Sequence, residues 1–371
     1  MTSTSPTLKP WIAELAPYKA GTSSSEDGRA LIKLSANENP LGTSKAALAE
    51  LNSAQKEAAI YPDPDASALR AAIGKLHGLE TEQIVLGTGS GDLLHCAVQA
   101  FAGPGDDVLA SRYSFSLYPL IARKVGARPV LAPDSDYHAS VDELLAAITQ
   151  HTRIVLLDNP NNPTGTWITG DEVRRLHRGL PSDVLLVVDE AYAEYLPEAE
   201  QATGFDLART HENVLVTRTF SKAYGLAAER IGWAYGAPGL IDAINRLRGA
   251  FNVTQSGQRA ALAALGDPDF VKQSAAHNER VRDRFVHALG KLGNYGIRTV
   301  PSHANFVLIE FGGALKAIDA LRGLAEAGYA VRHLPGQGLA DHLRITIGRK
   351  ADMDVIAETI SAMATAREPA A

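Results

Sequence analysis

Seven short runs between residues 83 and 236 are apolar at consecutive rather than alternate positions: "QIVLG", "DDVLA", "RPVLA", "RIVLLD", "VLLVVDE", "NVLVTRTF" and "IGWAYG". Such runs suit strands covered on both faces, and the amphipathic or alanine-rich stretches between them suit right-handed crossover helices. The pattern predicts an α/β fold whose large domain has a mainly parallel sheet flanked by helices. In such sheets ligands gather beyond the carboxyl ends of the strands. The polar residues just after the runs are therefore the candidates for chemistry, among them Ser90, Asn162, Asp189 and Lys222.

Past about residue 255 the rhythm changes. A long helical stretch, "DFVKQSAAHNERVRDRFVHALGKLG", precedes "RTV", "NFVLIEF", a helix near 314–327, "YAVRHL", "LRITIG" and a last helix. This predicts a smaller α+β domain. The expected division is an N-terminal arm over 1–30, a large α/β domain over 31–255 and a small C-terminal domain over 256–371, with "GTSSSEDG" in the arm as an exposed loop.

A chain of 371 residues exceeds the size at which one core stops growing, which agrees with two domains. The composition, 45% hydrophobic and 21% charged, is that of an ordinary globular protein. A net charge of -6 and a pI near 6.0 give no basic footprint for nucleic acid or an anionic membrane, so the expected partners are small molecules. Cys96 is the single cysteine, which excludes an intrachain disulfide and a zinc site built on thiolates. No leader pattern opens the chain and no apolar run is long enough to span a bilayer, so a cytoplasmic protein is expected.

Four motifs follow the strand-like runs. "GTGSGDLLHCAVQAF" opens a helix whose N–H groups at Gly89, Ser90 and Gly91 can face an anion. Its third glycine would fall at Asp92 in a dinucleotide fingerprint, and it has no phosphate-loop lysine, so a nicotinamide dehydrogenase reading fails. "LDNPNNPTGTW" is a stiff turn that fixes the Asn162 amide. "VLLVVDEAYAEY" ends an apolar run on Asp189, a costly place for a carboxylate without a cation or strong donor, with Tyr192 close behind. "TFSKAYGLAAERIG" carries Lys222 and Arg230, a candidate amine for a Schiff base and a guanidinium to clamp an anion. Taken singly, these are ordinarily a glycine turn, a connecting loop, a capping aspartate and a surface lysine.

Together, and in this order, the motifs resemble those of the fold-type I pyridoxal-phosphate aminotransferases. Over nearly the whole chain the sequence is similar to the histidinol-phosphate aminotransferase family, through "APYKAG", "KLSANENPLG", "IYPDP", "GTGSGD", "NPNNPTG", "DEAYAEY", "TFSKAYGLAAERIG", "SHANF" and "LRITIG". The resemblance implies that Lys222 holds pyridoxal 5′-phosphate as a Schiff base and moves a proton between the substrate Cα and the cofactor C4′. By the same resemblance Asp189 pairs with the ring nitrogen, while Asn162 and Tyr192 bond the ring oxygen. Ser90, Gly91, Thr219, Ser221 and Arg230 would hold the cofactor phosphate, helped by Tyr61 from the second subunit of a homodimer. Arg344 and Asn305 are implied for substrate carboxylate binding, and Arg332 with Tyr18 for a substrate phosphate.

Three positions depart from the family pattern. Phe115, expected over the ring face, and Phe251 stand where the family usually has tyrosine, and Glu229 stands where an apolar residue is commoner. The implied reaction exchanges the amino group of L-histidinol phosphate with 2-oxoglutarate, giving imidazole acetol phosphate and L-glutamate, in histidine biosynthesis. The two phenylalanines keep an aromatic amino-acid transaminase, or a dual-specificity enzyme, as the alternative. A catalytically silent relative used as a regulator would have lost the lysine or gained a basic DNA-binding segment, and neither occurs.

Overall fold

The computed structural model describes residues 6–15, 28–54 and 57–367; the Tyr18 expected at the substrate lies outside them. The seven apolar runs form one sheet: β1 (Ile84–Gly87), β2 (Asp107–Ser111), β3 (Arg128–Ala132), β4 (Thr152–Asp158), β5 (Leu185–Asp189), β6 (Val214–Thr219) and β7 (Gly232–Gly236). Their spatial order is β1-β7-β6-β5-β4-β2-β3. Only β7 runs antiparallel to its neighbours, so the other six strands end on the same edge.

Consecutive apolar positions are needed because alternate side chains enter different cores. In β5, Leu186 and Val188 join Leu69, Ile73, Phe205 and Trp233 on one face. Leu185 and Val187 join Leu93, Tyr118, Ile121 and Ile244 on the other. Helices cover both faces, as the pattern predicts. Among the described residues no helix is long and apolar enough to cross a membrane.

A second sheet, antiparallel throughout, contains β8 (Ile297–Thr299), β9 (Phe306–Phe311), β10 (Arg332–Leu334) and β11 (Leu339–Thr346) in the order β8-β9-β11-β10. Helices Pro268–Gly290, Ala317–Glu326 and Lys350–Thr365 send Phe285, Leu324, Ile356 and Ile360 against its apolar face. An early segment completes this unit: Ile32–Lys33 pairs in parallel with Tyr329–Ala330, and Leu34 enters the same core. The helix Gln255–Leu265 instead places Ala260, Ala261 and Ala264 in the larger core. Assigned by core, the limits expected at 30/31 and 255/256 shift, and the long helix Pro268–Gly290 spans both units: Val271 packs on the larger core, and Val281 and Phe285 lie in the smaller.

Phe285 is buried to 2% exposure in that smaller core. Replacing it with alanine is expected to cost about 3–5 kcal/mol, transfer loss and cavity together. Urea unfolding followed by far-UV circular dichroism checks this, and a loss below about 1 kcal/mol would contradict the packing described.

Candidate active site

The strand directions bring the loops after β1, β2, β4, β5 and β6 to one edge, where a cavity of about 490 Å³ opens between the two units. Ser90, Gly91, Phe115, Asn162, Asp189, Tyr192, Thr219, Ser221, Lys222 and Arg230 line it from the larger unit. Arg332 and Arg344 line it from the smaller one, with Asn37 from the segment that follows Leu34. Residues spread over more than three hundred positions thus share one space. Asn305 stands just behind, buried, its Nδ2 donating to the Asn37 carbonyl at 3.0 Å.

Lys222 directs its amine inward, where Nζ donates to the Ala36 carbonyl oxygen at 3.2 Å. Burial is the main cause, and the Arg344 guanidinium the second, that pushes this amine down to about 7. The charge is disfavoured because water is excluded and a like charge sits nearby. Near neutral pH a large share of the amine is therefore unprotonated, a condition for it to act as nucleophile or proton acceptor.

Asp189 closes β5 at the floor of the cavity and is 3% exposed. Its carboxylate accepts from Thr217 Oγ1 at 2.8 Å and from Tyr118 Oη at 3.2 Å. These neutral donors only partly offset burial, which pushes the carboxyl up to about 6. A cationic group set against it would hold it ionised. A protonated ring nitrogen has the required charge.

The helix Ser90–Phe101 begins at the cavity, and beside its N-terminus lies Arg230, whose Nη1 donates to Ser221 Oγ at 3.3 Å. Two glycines allow this approach. A Cβ on Gly89, which has φ +87°, would lie 2.5 Å from Arg230 Nη2, and one on Gly232 would run into the Ser90 backbone. Arg230 itself has φ +55°, an uncommon conformation for a non-glycine residue. Helix N–H groups, a serine hydroxyl and a guanidinium make a cradle for a dianionic phosphate. Thr219 supports it indirectly, its Oγ1 accepting the Ser221 N–H at 3.1 Å.

A buried carboxylate, a phosphate cradle and an amine whose charge is disfavoured by burial, all lining one cavity, fit pyridoxal 5′-phosphate. Asn162 keeps its amide N–H free of the contact its Oδ1 makes in accepting from Arg344 Nη1. Tyr192 Oη accepts from Asn37 Nδ2 at 2.8 Å, which leaves its proton to give, and burial pushes the phenol up to about 12. Phe115 lines the cavity and meets Tyr118 edge-on at 5.8 Å.

Two expected residues lie elsewhere. Tyr61 is 78% exposed and stacks on Phe251 at 4.6 Å, away from this cavity. Phe251 does not line this cavity either, and Glu229 turns to accept from Ser256 Oγ at 3.3 Å. Sequence reasoning missed Asn37, Tyr118 and Thr217 as site residues. Asn37 had one available signal: it lies within the quoted "KLSANENPLG" and adopts φ +58°, a conformation asparagine tolerates. Tyr118 and Thr217 read as ordinary core.

A sequence model of aminotransferase class I and II matches residues 29–360. The histidinol-phosphate aminotransferase of Erythrobacter litoralis is 60% identical over 99% of this chain and 100% of its own length. That of Sphingopyxis alaskensis is 53% identical over 98% and 99% respectively. Among solved structures, histidinol-phosphate aminotransferase from Sinorhizobium meliloti in complex with pyridoxal-5′-phosphate superposes with a TM-score of 0.87 at 29% identity, covering 98% of this chain and 100% of that one.

The depressed amine yields a prediction with a definite sign. Arylation of Lys222 by trinitrobenzenesulfonate, read by peptide mapping, should rise with pH to half its limit near 7; a midpoint near 10 would contradict the burial described. The folded value lies below the ordinary 10.5, so the unfolded chain binds more protons between the two. The cofactor-free wild type should therefore gain stability on Lys222→Met as pH rises from about 7 to 10.5, and the penalty is fully present below about 7.

Proposed function

The chain belongs to the histidinol-phosphate aminotransferase family within aminotransferase class I and II, and on that premise we propose that its own substrates are L-histidinol phosphate and 2-oxoglutarate. The observation that carries the reading is the inward Lys222 amine sharing one cavity with Asp189 and the Arg230 cradle. Pyridoxal 5′-phosphate, when bound, supplies a carbonyl carbon for attachment of an amine and a ring that withdraws electrons from the substrate Cα.

The protein's residues divide the remaining work. Ser90, Gly91, Ser221 and Arg230 would hold the phosphate and so anchor the cofactor at the sheet edge. Asp189 holds the proton on the ring nitrogen, and this charge pairing lowers its own carboxyl toward the ionised state. Asn162 and Tyr192 donate to the ring oxygen. Phe115 covers a ring face; stacking needs a π-surface and no hydroxyl. Lys222 Nζ, once free, would take the proton from the substrate Cα and return it to the cofactor's carbonyl carbon, on the far side of the amino nitrogen.

Substrate recognition falls to the smaller unit. Arg344 is anchored by the Ser35 carbonyl, to which its Nη2 donates at 2.7 Å, and faces an incoming carboxylate. Arg332 lines the same cavity, its side chain making no hydrogen bond or ion pair among the described residues, so its guanidinium is available to the phosphate of histidinol phosphate or the distal carboxylate of glutamate. The exposed Tyr61–Phe251 pair supports a homodimer in which Tyr61 completes the neighbouring subunit's phosphate site.

Single-turnover mixing of cofactor-loaded protein with L-histidinol phosphate should remove the cofactor's visible absorption band far faster than mixing with L-phenylalanine. A preference for phenylalanine would make the chain an aromatic transaminase, and no reaction with either would overturn the proposal. Lys222→Ala should lower the rate by at least about 100-fold while leaving the circular dichroism unchanged. Arg332→Met should raise KM for histidinol phosphate about tenfold, as expected for one charge-assisted hydrogen bond, with a smaller effect on kcat.

A further inference from the structure

Asp158 is the last residue of β4 and stands opposite Asp189 in the register of the two strands. It is 4% exposed and lines the cavity. One oxygen, Oδ2, accepts two backbone N–H groups, from Asn162 at 2.8 Å and from Phe115 at 3.1 Å. The other, Oδ1, accepts from Asn161 Nδ2 at 3.2 Å. The two backbone donors belong to different loops: Asn162 follows β4 itself, and Phe115 follows β2.

A strand of this kind does not need a carboxylate at its end. Burial beside Asp189 pushes the Asp158 carboxyl well up, so the acid is held there at a cost in stability. Three converging donors offset part of that cost. The two residues they tie down are those placed at a ring face and at a ring edge of the cavity. Asp189 uses other donors, the hydroxyls of Tyr118 and Thr217, so the neighbouring carboxylates share no donor.

We propose that Asp158 is a positioning residue that clips the Phe115 and Asn162 loops to the sheet edge, setting the aromatic face and the ring-oxygen donor before the cofactor arrives. The inference rests on the pyridoxal-phosphate reading above. Without the clip both loops keep their covalent tethers but lose a common anchor, and two buried N–H groups lose their acceptor. The consequence falls first on cofactor affinity and on the electronic environment of the ring, ahead of the Lys222 chemistry itself.

The test uses full-length wild type, Asp158→Ala and Asp158→Asn. Equilibrium dialysis with pyridoxal 5′-phosphate gives Kd, and spectrophotometric titration gives the midpoint of the visible band. Asp158→Ala should raise Kd about tenfold or more and displace the midpoint. Asp158→Asn, whose amide oxygen can still accept, should stay within about threefold of wild type in Kd. An Asp158→Ala protein with wild-type Kd and midpoint, differing only in thermal stability, would overturn the proposal. So would an Asp158→Asn protein whose Kd rises tenfold or more over wild type, and that arm decides the matter even if Asp158→Ala does not fold. A wild type that binds no pyridoxal 5′-phosphate would overturn the functional reading instead, which separates the two failures.

Discussion

A lysine amine kept out of water beside a guanidinium is the constraint around which this molecule is arranged. Left to itself the Lys222 ammonium would be solvated, and its burial next to Arg344 has to be maintained by everything around it. The sheet does half of this by ending β4, β5 and β6 on one edge, so that Asn162, Asp189 and Lys222 emerge together. The smaller unit does the rest, bringing Ala36, Asn37 and Arg344 over the top.

The units meet at the site through the Tyr192 ring, which packs edge-on against Phe306 at 5.3 Å, and through polar groups. Arg344 donates to Asn162 and Asn37 donates to Tyr192 across the units, while within the smaller unit Arg344 donates to the Ser35 carbonyl and Thr346 Oγ1 accepts the Asn37 N–H at 3.0 Å. Groups that meet a ligand are thus the same groups that hold the units together. Arg344 and Arg332 of the smaller unit and Asn162 of the larger line one cavity, so a ligand held there touches both units.

Much of this was legible in the sequence because the sheet is buried on both faces. Consecutive apolar residues mark every one of its strands, and the polar residue after a strand falls on the ligand edge by topology alone. Lys222, Asp189, Asn162 and Ser90 could be picked out for that reason. Asn37 and Asp158 could not. Asn37 is 155 positions from the tyrosine it bonds, and no local pattern records so distant a contact. Asp158 reads as the end of an apolar run, and its meaning lies in two amides from separate loops. Limits drawn by core differ from those read along the chain for a related reason: Ile32–Lys33 pairs with Tyr329–Ala330, far on in the sequence, and the alanine-rich helix Gln255–Leu265 carries no mark of either unit. Tyr61 lies outside the cavity of its own chain, exposed and stacked on Phe251, which its motif does not reveal.

The central claim is that the buried amine of Lys222 is the one that bonds the cofactor. Borohydride reduction of the protein loaded with pyridoxal 5′-phosphate, followed by digestion and mass spectrometry, tests it most directly. The account predicts a stable pyridoxyl group on the peptide containing Lys222 and on no other lysine in comparable yield. A label spread over surface lysines, or found on another single lysine, would contradict it.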